Sequence, residues 1–150
     1  MAYRIKQPET KEEFKRYYHQ RWKLLRLPWD QPEGSEVDDI EDQCFHLMTV
    51  DDGGKVVGIA RLQFNSNNEA QIRYMAVTGS HERQGIGSEL IKAMEQHAKK
   101  TSHNNIVLDA REDAVNFYKK QGYSVIGRSY LLFDEIQHFR MSKQLQGSLF

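Results

Sequence analysis

An α/β fold with a mixed sheet is what two features of the sequence predict. From Gln71 to Lys100 the chain reads QIRYMAVTGSHERQGIGSELIKAMEQHAKK, and the run NIVLD follows at Asn105–Asp109. Ile72, Tyr74 and Ala76 alternate with Arg73, Met75 and Val77 at a strand's period of two, whereas Leu90, Ile91, Met94 and Ala98 recur at helical spacing. A strand, a crossover helix and an adjacent strand make a right-handed βαβ unit. Upstream, the polar turns Asp51-Asp52-Gly53-Gly54 and Asn65–Asn68 separate three apolar-rich runs, the pattern of antiparallel strands.

Taken in order, Tyr3–Ile5 is a short first strand. Thr10 and Glu13 have the spacing of a capping box, and Phe14, Tyr17, Tyr18, Leu24 and Leu25 line one face of the helix that follows, as far as Leu27-Pro28. The stretch WKLLRLPWDQPEGSEVDD is too irregular for one helix and reads as a loop on the substrate side of the molecule, with Trp22 packing the helix on the sheet. Cys44–Val50 and Lys55–Phe64 are the arms of a hairpin, and the next strand starts near Glu69. After the long helix and NIVLD, Asp113 caps a helix bearing Ala114, Phe117 and Tyr118 that Gly122 ends, with a strand from Tyr123.

Composition narrows the function. The chain has 150 residues and reads as one domain, residues 1–150. Lys plus Arg and Asp plus Glu number 21 each, so no net field recruits nucleic acid or an anionic membrane. No apolar run has the length of a signal peptide or of a bilayer span, and a soluble cytoplasmic protein is expected. The lone Cys44 has no internal disulfide partner, and the six histidines form no metal-ligand pattern, so no metal is expected.

The segment RQGIGS at Arg83–Ser88 is the candidate anion site. Gly85 and Gly87 permit close approach, and the first amides of a helix have no internal partners, so a phosphate fits there. A nucleoside-triphosphate loop is excluded because Ser88 and Glu89 stand where Lys and Ser or Thr belong. A dinucleotide fingerprint fails because position 90 is Leu rather than a third glycine.

The stretch resembles motif A of the GCN5-related N-acetyltransferase (GNAT) family: a hydrophobic strand ending in Ala-Val, a short loop, then Q/R-x-x-G-x-G/A opening a long helix. It departs at Glu82, with the basic residue one position later at Arg83. Ala114, Phe117, Tyr118, Gly122 and Tyr123 resemble the family's motif B, with Arg111 where Asn is usual. The resemblance implies the acyl-CoA N-acyltransferase fold. That is a central, mostly antiparallel mixed sheet of about six or seven strands with about four helices and a splayed parallel pair at its centre.

It also implies acetyl-CoA as cosubstrate. Met75, Ala76 and Val77 would pair with the acetyl-pantetheine arm, Arg83, Gln84, Gly85, Ile86, Gly87 and Ser88 would hold the pyrophosphate, and Asn116 would replace the missing Asn contact. Tyr118 matches the family tyrosine that hydrogen-bonds the CoA sulfur, which makes it the general acid. For the base, His138 and Glu135 in the tail FDEIQHFRMSK are candidates beside a water relay. Arg26, Trp29 and Arg73, with Glu36, are the candidate acceptor-binding residues for a small-molecule or peptide amine. A homodimer contact through Leu145, Leu149 and Phe150 is a further candidate. The competing readings are an acyl-CoA-binding regulatory module without transfer, against which Tyr118 weighs, and a nucleotide-binding domain of another fold.

Overall fold

A computed structural model of the protein describes residues 2–81 and 84–145. Seven strands form a sheet in the order β1-β2-β3-β4-β5-β7-β6. They are β1 (Arg4–Lys6), β2 (Phe45–Val50), β3 (Val56–Phe64), β4 (Glu69–Val77), β5 (Asn105–Arg111), β6 (Ser124–Leu132) and β7 (Ile136–Gln144). Among the described residues three α-helices accompany them: α1 (Lys11–Leu25), α2 (Ile86–Lys100) and α3 (Val115–Lys120). The pairs β1/β2, β2/β3, β5/β7 and β6/β7 are antiparallel, and β4/β5 is parallel. The parallel register runs from Glu69 opposite Asn105 to Ile72 opposite Leu108, and both strands continue past that last rung. In place of a fourth helix, the segment after α1 forms short 3₁₀ turns at Leu27–Trp29 and Glu41–Gln43.

The chain divides into two compact units, residues 1–63 with 74–92, and residues 64–73 with 93–150. In the first, Thr10 and Glu13 close the expected capping box, and α1 lays Phe14, Tyr17, Tyr18 and Leu25 on Met48, Val50, Val56 and Ile59. Met48 pairs with Ile59 and Thr49 with Gly58 across the hairpin, so alternation turns Thr49 and Gly58 to the other face. There α2 comes close. A Cβ on Gly58 would lie 3.0 Å from Ile86 Cγ2 and 3.2 Å from Leu90 Cδ1, so only glycine lets the start of α2 seat at this depth.

The second unit buries Ala70, Ile72, Met94, Ala98, Ile106, Val107, Leu108, Ala110, Tyr123, Met141 and Leu145. Leu145 therefore belongs to the core, not to an exposed tail, and its amide donates to the Asn104 carbonyl. Leu149 and Phe150 lie outside the described residues.

Several boundaries differ from expectation, for identifiable reasons. The first strand is Arg4–Lys6, in register with Val50–Met48. Cys44 precedes β2 and is half-buried, its thiol donating to the Ile40 carbonyl at 3.2 Å. Asp113 does not cap α3: its carboxylate is held by Arg111 at 3.0 Å, and Ala114 occupies the cap position. Burial along β4 does not alternate as expected: Ala70, Gln71 and Ile72 are all buried and Arg73 to Val77 all half-buried, with Tyr74 at φ 53°. No helix among the described residues is long and apolar enough to cross a membrane.

Candidate functional site

In the first unit, β4 ends at Val77 and the chain turns at Thr78, whose amide and hydroxyl both donate to the Val57 carbonyl, at 2.9 and 3.1 Å. Gln20 on α1 braces that hydroxyl at 3.2 Å. A 3₁₀ turn at Gly79–His81 follows, and Glu82 and Arg83 lie outside the described residues. Gln84 is exposed and accepts a hydrogen bond from the Tyr3 hydroxyl. Gly85 takes φ +83°, a conformation that side chains disfavour, and among the described residues, its chain neighbours apart, no atom stands within 4 Å of where its Cβ would be.

The carbonyl of Gly85 accepts the amide of Glu89 at 3.0 Å, so among the described residues the amides of Ile86 and Gly87 have no partner within α2. Ile86, 2% exposed, anchors this end of the helix. Open space at Gly85, the first-turn amides of Ile86 and Gly87 and the positive end of a 15-residue helix dipole together fit an anionic phosphate.

Beside β4 lies a buried cluster that the sequence reading missed. Arg21 and Arg61 are each 0% exposed. Glu41 bridges them at 2.7 and 2.9 Å, and Asp38 grips Arg61 in a two-pronged pair at 2.8 and 2.9 Å. Burial opposes the charge on Arg61, but Asp38 and Glu41 hold its guanidinium above the usual arginine range. The Cζ atoms of Arg21, Arg61 and Arg26 lie over the Tyr74 ring, 4.4, 4.8 and 5.6 Å from its centroid. Signals for the cluster existed: Arg21 follows Tyr17 by four on the apolar helix face, and Arg61 shares Ile59's strand phase. A charge at a core-facing position needs a partner, and Glu41 and Asp38 provide it.

Of the candidate acceptor residues, Arg26, Trp29 and Glu36 belong to the first unit and Arg73 to the second. Arg26 caps α1 and donates to the Ser35 and Leu25 carbonyls, each at 3.2 Å. Trp29 is half-buried at the end of its 3₁₀ turn. Glu36 is buried, receives the Gly34 amide at 2.7 Å and lines an open groove of about 710 Å³ with Tyr18, His19, Trp22 and Glu33. Arg73, half-buried on β4, falls in the second unit.

In the second unit, α3 carries Tyr118, half-buried with its ring edge-on to Phe117 at 5.1 Å and Tyr123 at 6.1 Å. Burial pushes its phenol up to about 12, against the pull of the Arg111 cation. Its hydroxyl makes no hydrogen bond among the described residues. Tyr123, by contrast, donates to Glu95 at 2.9 Å. Asn116 is exposed on α3.

His138 is 4% exposed and stacks on Tyr130, with centroids 4.3 Å apart and planes at 11°. Its Nδ1 lies 3.0 Å from the Ile136 carbonyl, an acceptor only, so Nδ1 carries the proton and Nε2 of the neutral ring keeps its lone pair. Burial pulls its pKa below the ordinary histidine value. His138 pairs with Arg111 across the β5/β7 ladder, and the Arg111 cation acts on the pKa of both His138 and Tyr118, lowering each. Glu135 is exposed in the β6–β7 turn. Asp109, also missed, accepts Arg140 at 2.9 Å and Gln71 at 3.3 Å.

The sequence pattern of the Acetyltransferase (GNAT) family matches residues 8–123. The chain is 30% identical over 135 residues to an uncharacterized N-acetyltransferase, YjcF, of Bacillus subtilis strain 168, covering 90% of this chain and 95% of that one. The crystal structure of a putative N-acetyltransferase from Lactobacillus plantarum is similar with a TM-score of 0.84 at 20% identity, covering 97% of this chain and 100% of that one. An aminoglycoside 6'-N-acetyltransferase complexed with coenzyme A gives 0.79 at 15% identity, with 99% of each chain covered.

Proposed function

The chain belongs to the GNAT acetyltransferase family and so to the acyl-CoA-dependent N-acetyltransferases, and we propose that it moves an acetyl group from acetyl-CoA to a primary amine. The observation that carries this reading is the start of α2, where Gly85 in its left-handed conformation and the first-turn amides of Ile86 and Gly87, at the positive end of the helix, suit a pyrophosphate. Gln84 and Arg83 flank it in sequence, and Met75, Ala76 and Val77 precede it as the amides for the acetyl-pantetheine arm, with Asn116 as a further contact.

Acetyl-CoA, when bound, supplies an activated thioester carbonyl and a thiol leaving group. Three tasks fall to the chain. Backbone amides of Met75–Val77 donate to the negative charge that develops on the carbonyl oxygen. His138 Nε2 takes the proton that the amine sheds as its nitrogen bonds to the acetyl carbon. Tyr118, as general acid, gives a proton to sulfur as the carbon–sulfur bond breaks, and solvent then restores both residues.

The raised pKa of Tyr118 keeps it a donor at every working pH. Against a thiol near ~8.5, its hydrogen bond carries most of the stabilisation until the sulfur has left. We assign the base to His138 over the exposed Glu135 because the Ile136 carbonyl fixes the required tautomer. Arg26, Trp29 and Arg73 are the proposed contacts on the acceptor side.

Isothermal titration with acetyl-CoA, CoA and ATP, followed by thiol release against a panel of amines, tests the proposal. Saturable acetyl-CoA binding that ATP does not displace, with turnover on one amine, is expected. Absence of CoA binding overturns it.

A further inference from the structure

A strand residue with positive φ needs something to hold it. Tyr74, at φ 53°, is bulky, and such a residue on the left-handed side of the backbone map persists only where its surroundings enforce the conformation. It sits immediately before Met75, Ala76 and Val77, so its backbone angle sets the direction in which their peptide groups leave β4. The enforcement visible in the first unit is its ring, over which lie the guanidiniums of Arg21 at 4.4 Å and Arg61 at 4.8 Å.

Neither arginine is free to drift. Both are fully buried, both are bonded to Glu41, and Asp38 adds a two-pronged grip on Arg61. The Tyr17 hydroxyl further fixes Arg21, accepting from its Nη2 at 3.0 Å, and that hydroxyl in turn bonds His46 and the Ala60 carbonyl. Two desolvated cations facing one aromatic ring attract its π-cloud strongly, whereas two such cations side by side without Glu41 and Asp38 would repel. The carboxylates make the pair tolerable, and the ring is what the pair holds.

We infer that Arg21 and Arg61, fixed by Glu41 and Asp38, form a clamp on the Tyr74 ring that holds the kink in β4 and so positions the peptide groups of Met75–Val77. These are positioning residues, and their role in acetyl transfer rests on the proposed reading that those peptide groups receive acetyl-CoA.

Replacing either arginine strands Glu41 in the core and risks unfolding, so the test is made at position 74 of the full chain. Tyr74→Leu keeps a large apolar side chain and the same backbone demand but removes the ring. Tyr74→Phe keeps the ring. Amide hydrogen exchange at Met75, Ala76 and Val77, measured without ligand, is read beside acetyl-CoA affinity by titration.

In Tyr74→Leu, exchange speeds up and affinity falls, each about tenfold, while Tyr74→Phe rescues both. Unchanged exchange in Tyr74→Leu, or failure of Tyr74→Phe to rescue, overturns the clamp. Faster exchange with undiminished affinity overturns the positioning role, because a merely structural ring would behave that way. If the wild-type protein binds no acetyl-CoA, it is the functional reading that falls, and the exchange measurement still decides the clamp.

Discussion

The turn from β4 into α2 and the α3–β7 region use opposite means. The first offers backbone: a glycine at positive φ, the first-turn amides of Ile86 and Gly87 and a strand with a positive φ at Tyr74. The second offers side chains, a phenol pushed up to about 12 by burial and a neutral imidazole whose tautomer a carbonyl fixes. A backbone site is damaged only by changing conformation or filling space, whereas a side-chain site fails when one atom is deleted. The two should therefore separate under mutation, the first through binding and the second through turnover.

The largest expected effect is in the second region. Tyr118→Phe removes one oxygen that bonds nothing among the described residues, so the fold should hold while kcat falls about a hundredfold or more and acetyl-CoA affinity stays level. Steady-state kinetics beside titration reads that split, and a matching loss of affinity would dissolve the contrast between the regions. His138→Gln should cost less, about tenfold, because water can accept the proton in place of the ring.

The pH profile sharpens the assignment of His138. Burial lowers its pKa in the folded protein, so the neutral, proton-accepting form persists below the usual histidine range. The acid limb of kcat/KM should fall below pH ~6.5, and His138→Gln should abolish that limb. By linkage, the same depression contributes stability above the unfolded-state pKa that is lost as pH falls through the folded one. Acid unfolding should therefore begin at lower pH in the Gln variant, which has no proton to take up.

Effects in the first region should be smaller and should appear in affinity. Gly85→Ala forces a side chain into a left-handed conformation at about 1–2 kcal/mol, which is expected to weaken acetyl-CoA binding about tenfold with kcat at saturation retained. Gly58→Ala acts from beneath, since its Cβ meets Ile86 and Leu90 and must lift the start of α2. A loss of about 1–3 kcal/mol in stability with a parallel loss of affinity is expected by denaturation and titration.

The same contrast explains what was legible in the sequence. The capping box at Thr10 and the hairpin at Asp51–Gly54 are local statements, each fixed by residues within a few positions, and each appears in the structure as read. The Arg21–Glu41–Arg61–Asp38 cluster is not local: it joins a helix, a loop and a strand through partners 20 and 23 positions apart. Only the anomaly of a charge at a core-facing position hinted at it. The tautomer of His138 depends on β7 turning the Ile136 carbonyl toward the ring, which no spacing rule encodes. Arg111 is visible in the sequence as a departure from the family's Asn. Its engagement with Asp113, which removed the expected cap of α3, required the fold to be seen.

The smallest expected effect supplies the control for both regions. Thr10 caps α1 by accepting the Glu13 amide at 3.0 Å, and Glu13 returns the bond through its carboxylate to the Thr10 amide at 3.3 Å. Lys6 also bonds Glu13, whose carboxyl is drawn down to about 2, first by that side-chain hydrogen bond and then by the Glu9 amide. Thr10→Ala removes only the threonine half and should cost about 1 kcal/mol in denaturation. It touches neither the start of α2 nor α3, so kcat and acetyl-CoA affinity should both stay at wild-type values. A change in either would mean that α1 communicates its stability to the chemistry, most directly through Gln20 and Arg21, which the same helix delivers to Thr78 and Tyr74.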